Sequence, residues 1–474
     1  MTIPEITLKR GKGFVPTASM RAYAGFSVWP AQHKMTPRDF VVRERHPNLQ
    51  LTESPQSDFD PAVLDRMTGR YVAVTLVKRK LTTPDAIGAA AKLLKVPNSD
   101  ISAAGLKDRS AETSQMIVIR TNNLEHVRAH CFPKEENLRR YGFFLKDARR
   151  YDRMLDKGHL SGNQFRINLR LPGKSKEELE AYLEPRVLYL TRQHKGKHVL
   201  RVPNFFGSQR CGQRQNNIFI GWEFITKGIE AGCKAFVCDD VEENDHPKAT
   251  DLRRKLRKIW DAMEVQAAEK GETIAEQFYF WMDMKELLDK PGHDGRPAYK
   301  AANMFIERKL IKDLMRTKCM EQSVRALKND LSLSIGAWQA YWFNYVLAEV
   351  NDAAKEISSE KDLEIDRLDE PVIPLFFCGD KQSVAFYERW CPQAIPPVID
   401  AKVREIFLSN ADGRRGPRRP AFIFVNELTY EVHDEGVTFS FYLRSGSFAT
   451  TFLSYLFNLD GDQDEPDTLA IEQP

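Results

Sequence analysis

The stretch AAGLKDRSAETSQMIVIR, residues 103–120, sets a loop opened by Gly105 (Gly105-Leu106-Lys107-Asp108-Arg109) ahead of an apolar, β-branched run, Gln115–Arg120, that reads as a strand. On its amino-terminal side a helix is expected. Thr83 suits the N-cap, Pro84 the first helical position and Asp85 the positive end of the dipole, while Ile87, Ala90, Ala91 and Leu94 share a face. Farther out, Phe40-Val41-Val42 and Tyr71–Val77 are strand-like. On the other side QFRINLR (Gln164–Arg170) alternates Phe165, Ile167 and Leu169 with polar neighbours. The expected fold class is α+β.

After about residue 215 the pattern changes to long charged helical stretches such as DLRRKLRKIW (Asp251–Trp260), with a Pro- and Gly-bearing joint at Pro291–Pro297. Leu331–Ala348 carries no charge, but Ser332, Ser334, Gln339 and Asn344 make it too polar for lipid. Its Trp338, Tyr341, Trp342, Tyr345 and Val346 fall at helical spacing, so a buried core helix is expected. Alternation returns at Val437, Phe439, Phe441 and Leu443, and the turn Ser445-Gly446-Ser447 leads into Thr451–Leu459. A sheet interrupted by a large insertion accounts for this order. The acidic tail from Asp460 has no apolar period.

The 474 residues carry 70 Lys+Arg against 66 Asp+Glu, a net charge of only +4, so any nucleic-acid surface has to be local. Seven scattered cysteines favour a reducing compartment over a disulfide framework, and the first thirty residues contain no signal-peptide h-region; the cytoplasm is expected. Metal-ligand spacing, a dinucleotide-binding GxGxxG and a phosphate-binding GxxxxGK[ST] are all missing. Two basic runs stand out. Arg192, Lys195, Lys197, Arg201, Arg210 and Arg214 lie in an acid-free stretch that includes Phe205 and Phe206, and Arg414–Arg419 forms a second run. Cations interleaved with aromatic faces suit RNA. Asp108, between Lys107 and Arg109, is the most suggestive carboxylate, because flanking cations keep it ionised.

Ala103–Gln115 closely resembles the AGLKDxxAxTxQ signature of the TruD family of pseudouridine synthases. Lys34–Glu44 (KMTPRDFVVRE), Gly158–Arg170 (GHLSGNQFRINLR), Pro203–Gly212 (PNFFGSQRCG) and Phe441–Leu453 (FYLRSGSFATTFL) resemble four further family segments, in the family's order. Trp342-Phe343-Asn344 is similar to part of its insertion domain.

That resemblance implies a catalytic domain with a mixed or antiparallel sheet of the pseudouridine-synthase type, interrupted by a large inserted α+β domain. The expected bounds are 1–212 and 431–474 for the catalytic parts and 213–430 for the insertion. It implies isomerisation of a uridine in tRNA, at position thirteen as in bacterial members, with no cofactor and no metal. Monomeric relatives are known, and neither DNA nor a membrane is expected as a partner. Asp108 aligns with the catalytic aspartate. Attack at C1′, attack at the uracil C6 and ribose proton abstraction all remain open to it. Phe40, Asn163 and Phe448 match substrate-pocket positions, with the Asn163 amide offering both a donor and an acceptor to a flipped base. Lys107 and Arg109 are candidates for phosphate contacts or for tuning Asp108, and Arg210 for a phosphate contact. The chain departs from the family at Cys211, usually Phe, and at Arg444, often Pro. An RNA-binding or RNA-folding protein on the same scaffold, with weak or no catalysis, is the alternative.

Overall fold

Among the described residues the larger sheet has eleven strands. Nine run side by side in the order Phe143–Tyr151, Tyr71–Arg79, Glu112–Ile119, Phe40–His46, Gly162–Arg170, Gly436–Arg444, Phe422–His433, Lys197–Pro203 and Thr191–His194. Phe40–His46 and Glu112–Ile119 pair in parallel, and the other neighbours along this path are antiparallel, so the sheet is mixed. This computed structural model describes residues 28–459 except 48, 157, 195–196, 213, 242–246, 293–294, 352–362, 366–370, 393–394, 396–398 and 410–415. Residues 1–27, Lys195, Arg414, Arg415 and the acidic tail lie outside the described residues, as do the side chains of Arg192 and Lys197.

Strand period dictates which side chains share a face. The register puts Phe40, Val42 and Glu44 with Thr113, Gln115 and Ile117, with Val72, Val74, Leu76 and Lys78, and with Asn163, Phe165 and Ile167. Helix Thr83–Leu94 covers the apolar part of that face. Its Ala86, Ala90, Ala91 and Leu94 pack on Val72, Val74, Leu76, Ile117 and Ile119, and each large side chain buried there contributes about 1.5–3 kcal/mol. Past Leu76 and Ile117 the same face turns polar, with Lys78, Gln115, Glu44 and Asn163. The helix is capped by Thr82, one residue before the expected Thr83; the Thr82 side chain accepts the Asp85 N–H. The shift leaves the Thr83 hydroxyl for another task.

The chain divides into two compact units, a sheet unit and an inserted unit, 205–421. This unit starts eight residues before and ends nine residues before the expected insertion, 213–430, and the contacts at its two ends give the physical reasons. Phe206 exchanges two hydrogen bonds with the Asn344 side chain, N–H to Oδ1 at 2.7 Å and Nδ2–H to carbonyl at 2.9 Å, which ties this segment to helix Lys328–Asn351. At the other end Phe422–His433 is a strand of the large sheet, paired with both Lys197–Pro203 and Gly436–Arg444. The inserted unit is mostly helical, with a three-stranded sheet of Glu364–Ile365, Pro371–Pro374 and Arg418–Pro420. Helix Lys328–Asn351 is buried through Trp338, Trp342, Phe343 and Val346, as its aromatic spacing predicts. No helix among the described residues is long and apolar enough to cross a membrane.

Candidate active site

The loop between strands Ile101–Ala103 and Glu112–Ile119 is held at three points over the polar end of the sheet face. The Lys107 N–H donates to the Thr83 Oγ1 at 2.8 Å, the Thr83 hydroxyl donates to Gln115 Oε1 at 3.0 Å, and Gln115 Nε2 donates back to the Gly105 carbonyl at 3.4 Å. The Ser110 N–H closes a turn onto Asp108 Oδ1 at 3.1 Å. Below the loop, the fully buried Lys78 ammonium donates to the carbonyls of Asp108 at 2.7 Å and Leu81 at 2.9 Å. Asp108 is therefore fixed through its backbone as well as through its side chain.

Its carboxylate is ion-paired with Lys34, whose ammonium also sits 4.6 Å from the centroid of the Phe40 ring. Partial burial works against the charged carboxylate, but Lys34, the Ser110 N–H and Lys78 outweigh it and hold the Asp108 carboxyl below its usual range. The side chain keeps 31% exposure, so an ionised oxygen is within reach of a ligand. Burial has the opposite consequence for Lys78: desolvation pulls its ammonium down to about 8, despite the opposing pull of Asp108.

On the same face Glu44 is wholly buried. Its Oε1 pairs with Lys107 Nζ at 2.8 Å, while Oε2 accepts the Met116 N–H at 2.8 Å and faces His46 Nε2 at 3.3 Å. Burial would raise this carboxyl, and the Lys107 charge, His46 and the Met116 amide together bring it below its ordinary value. Lys107 Nζ also donates to Asn163 Oδ1 at 3.0 Å. Two sets of contacts thus meet at the Lys107–Asp108 peptide bond: Lys107 with Glu44 and Asn163, and Asp108 with Lys34, which covers Phe40.

Phe40 is only 5% exposed and meets Phe165 edge-on, so it lines the floor of the site rather than standing free. Phe448 is 43% exposed and precedes helix Ala449–Leu453. It follows the strand whose Leu443 and Arg444 pair with Asn163 and Gly162, which puts it at Asn163's end of the sheet. Gly162 is obligatory there, because an added Cβ would lie 2.2 Å from the Leu443 carbonyl oxygen. Leu106, beside Lys107, is 79% exposed.

The phosphate candidates divide. Lys107 does not face solvent: its side chain is 7% exposed and committed to Glu44 and Asn163. Arg109 remains outside that network, with Nε donating to the Lys80 carbonyl at 3.4 Å. Arg210 belongs to the inserted unit, where it donates to the Gly336 carbonyl at 3.3 Å and covers the Phe206 ring. Among the described side chains the two basic runs do not form an aromatic-lined surface. Phe205 and Phe206 are buried, Arg201 packs on Phe422, and Arg214 bonds the Asp239 carbonyl. Arg418 pairs with Asp380, and Arg419 lies buried over Phe206. Cys211, at the family's Phe position, is buried as a small apolar group.

Comparison with known proteins gives this constellation a family. The family model described as tRNA pseudouridine synthase D (TruD) matches residues 30–279, more than half of the chain and the whole of the Asp108–Lys107–Asn163 set. The chain belongs to the TruD family. A tRNA pseudouridine synthase D from Syntrophotalea carbinolica is 26% identical over 83% of this chain and 91% of its own. One from Geobacter metallireducens is 26% identical over 89% and 93%. The fold is shared with the crystal structure of a TruD candidate from Methanosarcina mazei, at a TM-score of 0.57 and 19% identity over 96% of this chain and 98% of that one. Pseudouridine synthases are isomerases, and this TruD chain is an enzyme of that class.

Lys34, Glu44, Lys78, Thr83 and Gln115 also meet in the candidate site, although the sequence reading gave none of them a role there. A signal was present for two of them: strand parity carries Glu44 onto the face of Phe40 and Val42, and Lys78 onto that of Val72, Val74 and Leu76.

Proposed function

We propose that this protein converts a uridine of tRNA, at position thirteen, to pseudouridine, with Asp108 as the catalytic carboxylate. The observation that carries this reading is Asp108 itself, ionised, partly exposed and fixed by Lys34, Ser110 and Lys78. In the reaction the N1–C1′ bond breaks, the uracil turns, a C5–C1′ bond forms and the C5 proton is lost while N1 gains one. Substrate and product are isomers, so no oxidant or co-substrate enters the balance. A carboxylate held in its charged form suits attack at C1′, attack at C6 and abstraction of a ribose proton alike.

The target base has to leave its stack to reach Asp108. Phe40 and Phe448 supply apolar walls for it, and Leu106 offers an exposed apolar side chain against the bases it leaves behind. Arg109 is the phosphate contact we propose beside the loop; Arg210 would act from the inserted unit. Pseudouridine mapping of unmodified tRNA treated with wild type or Asp108→Ala tests the reading. Product from wild type alone supports it. Equal RNA binding with no product from either favours an RNA-binding or RNA-folding role on the same scaffold.

A further inference from the structure

We infer that Lys107 and Glu44 are positioning residues that hold the Asn163 amide with its nitrogen outward, so that Asn163 acts on the flipped base as a donor to a uracil carbonyl. This rests on the pseudouridine-synthase reading above and narrows it, since an unconstrained amide could present either a donor or an acceptor.

An ammonium has donors and no acceptor, so the Asn163 atom 3.0 Å from Lys107 Nζ has to be the oxygen. Chemistry thereby fixes the amide orientation without reference to which atom was called which. Lys107 cannot readily swing aside. Its ammonium pairs with the wholly buried Glu44, and its backbone N–H is held by Thr83. Removing that partner would strand a buried charge, which is costly. Glu44 is pinned in turn by the Met116 N–H and by His46. The Asn163 backbone is set by its pairing with Glu44 on one side and Leu443 on the other. With Oδ1 occupied, Asn163 Nδ2 donates to nothing among the described residues, and the side chain is half-buried. Uracil presents two carbonyl acceptors, O2 and O4, to such a donor.

The test compares kcat/KM on tRNA carrying uridine, 2-thiouridine or 4-thiouridine at the target, for wild type and for Glu44→Gln/Lys107→Met, which removes both charges and strands neither. Sulfur accepts hydrogen bonds poorly, so wild type should lose about tenfold with one of the two thio-substrates. The paired variant should lose that sensitivity while keeping its melting temperature. Asn163→Asp, which turns the outward donor into an acceptor, should lie below Asn163→Ala. Wild type indifferent to both sulfurs, a paired variant with wild-type sensitivity, or Asn163→Asp as active as wild type would overturn the inference. A wild type that converts no uridine at all defeats the pseudouridine-synthase reading instead.

Discussion

The Lys34 ammonium bridges the Asp108 carboxylate and the face of the Phe40 ring, so one cation joins the proposed catalytic group to the floor of the candidate site. Lys34 lowers the Asp108 pKa, and the reactive form is the carboxylate, present above that pKa. Lys34→Met should therefore move the acidic limb of kcat/KM to higher pH, by about one unit or more, and lower the plateau about a hundredfold. A pH–rate profile with an unmoved acidic limb would contradict this.

Lys78 gives a prediction about stability. Its folded pKa of about 8 lies below the ordinary lysine value, so between pH 8 and 10.5 the unfolded chain binds the extra proton. Stability from this group therefore rises with pH across that window and is reduced below it. Denaturant unfolding of wild type and Lys78→Met at pH 7 and pH 10 should show the difference shifting in favour of wild type by about 2 kcal/mol. A shift of opposite sign would count against the buried ammonium.

Gly162 precedes Asn163 where the Gly436–Arg444 strand passes closest. A methyl group there meets the Leu443 carbonyl oxygen at 2.2 Å and the Tyr442 hydroxyl at 2.6 Å. Gly162→Ala should cost about 2–4 kcal/mol and lower the melting temperature by several degrees in calorimetry. Gly173→Ala, where a Cβ meets nothing within 4 Å but φ is +77°, should cost only about 1 kcal/mol.

Leu106 is too exposed to support the fold. Leu106→Ser should leave the melting temperature within a degree or so and lower kcat/KM on folded tRNA about tenfold. Equal activity of the two proteins would remove Leu106 from RNA contact.

What could be read from residue order alone follows from what each residue needs. Phe165, Ile167 and Leu169 reveal their strand because alternation is a local property, and the aromatic spacing of Trp338, Trp342 and Val346 likewise reveals a buried helix. Asp108 was legible through a contiguous motif. The burial of Lys107 is not legible in composition, because it depends on Glu44, sixty-three positions earlier in a neighbouring strand. The same limit explains Phe205 and Phe206: a basic, aromatic run reads alike whether its rings face solvent or the interior. That Phe422–His433 belongs to the large sheet is not legible locally, because the strand is defined by its partners and not by its own ends.

The central claim is that Asp108 performs the isomerisation, and an isosteric variant tests it most directly. Asp108→Asn keeps the size of the side chain and removes its charge, so RNA binding should persist. The measurement is pseudouridine formation in unmodified tRNA, mapped by chemical labelling, for wild type and Asp108→Asn at equal RNA occupancy. A new pseudouridine at position thirteen is expected with wild type and none with Asp108→Asn; pseudouridine formed at the wild-type rate by Asp108→Asn would contradict a catalytic Asp108.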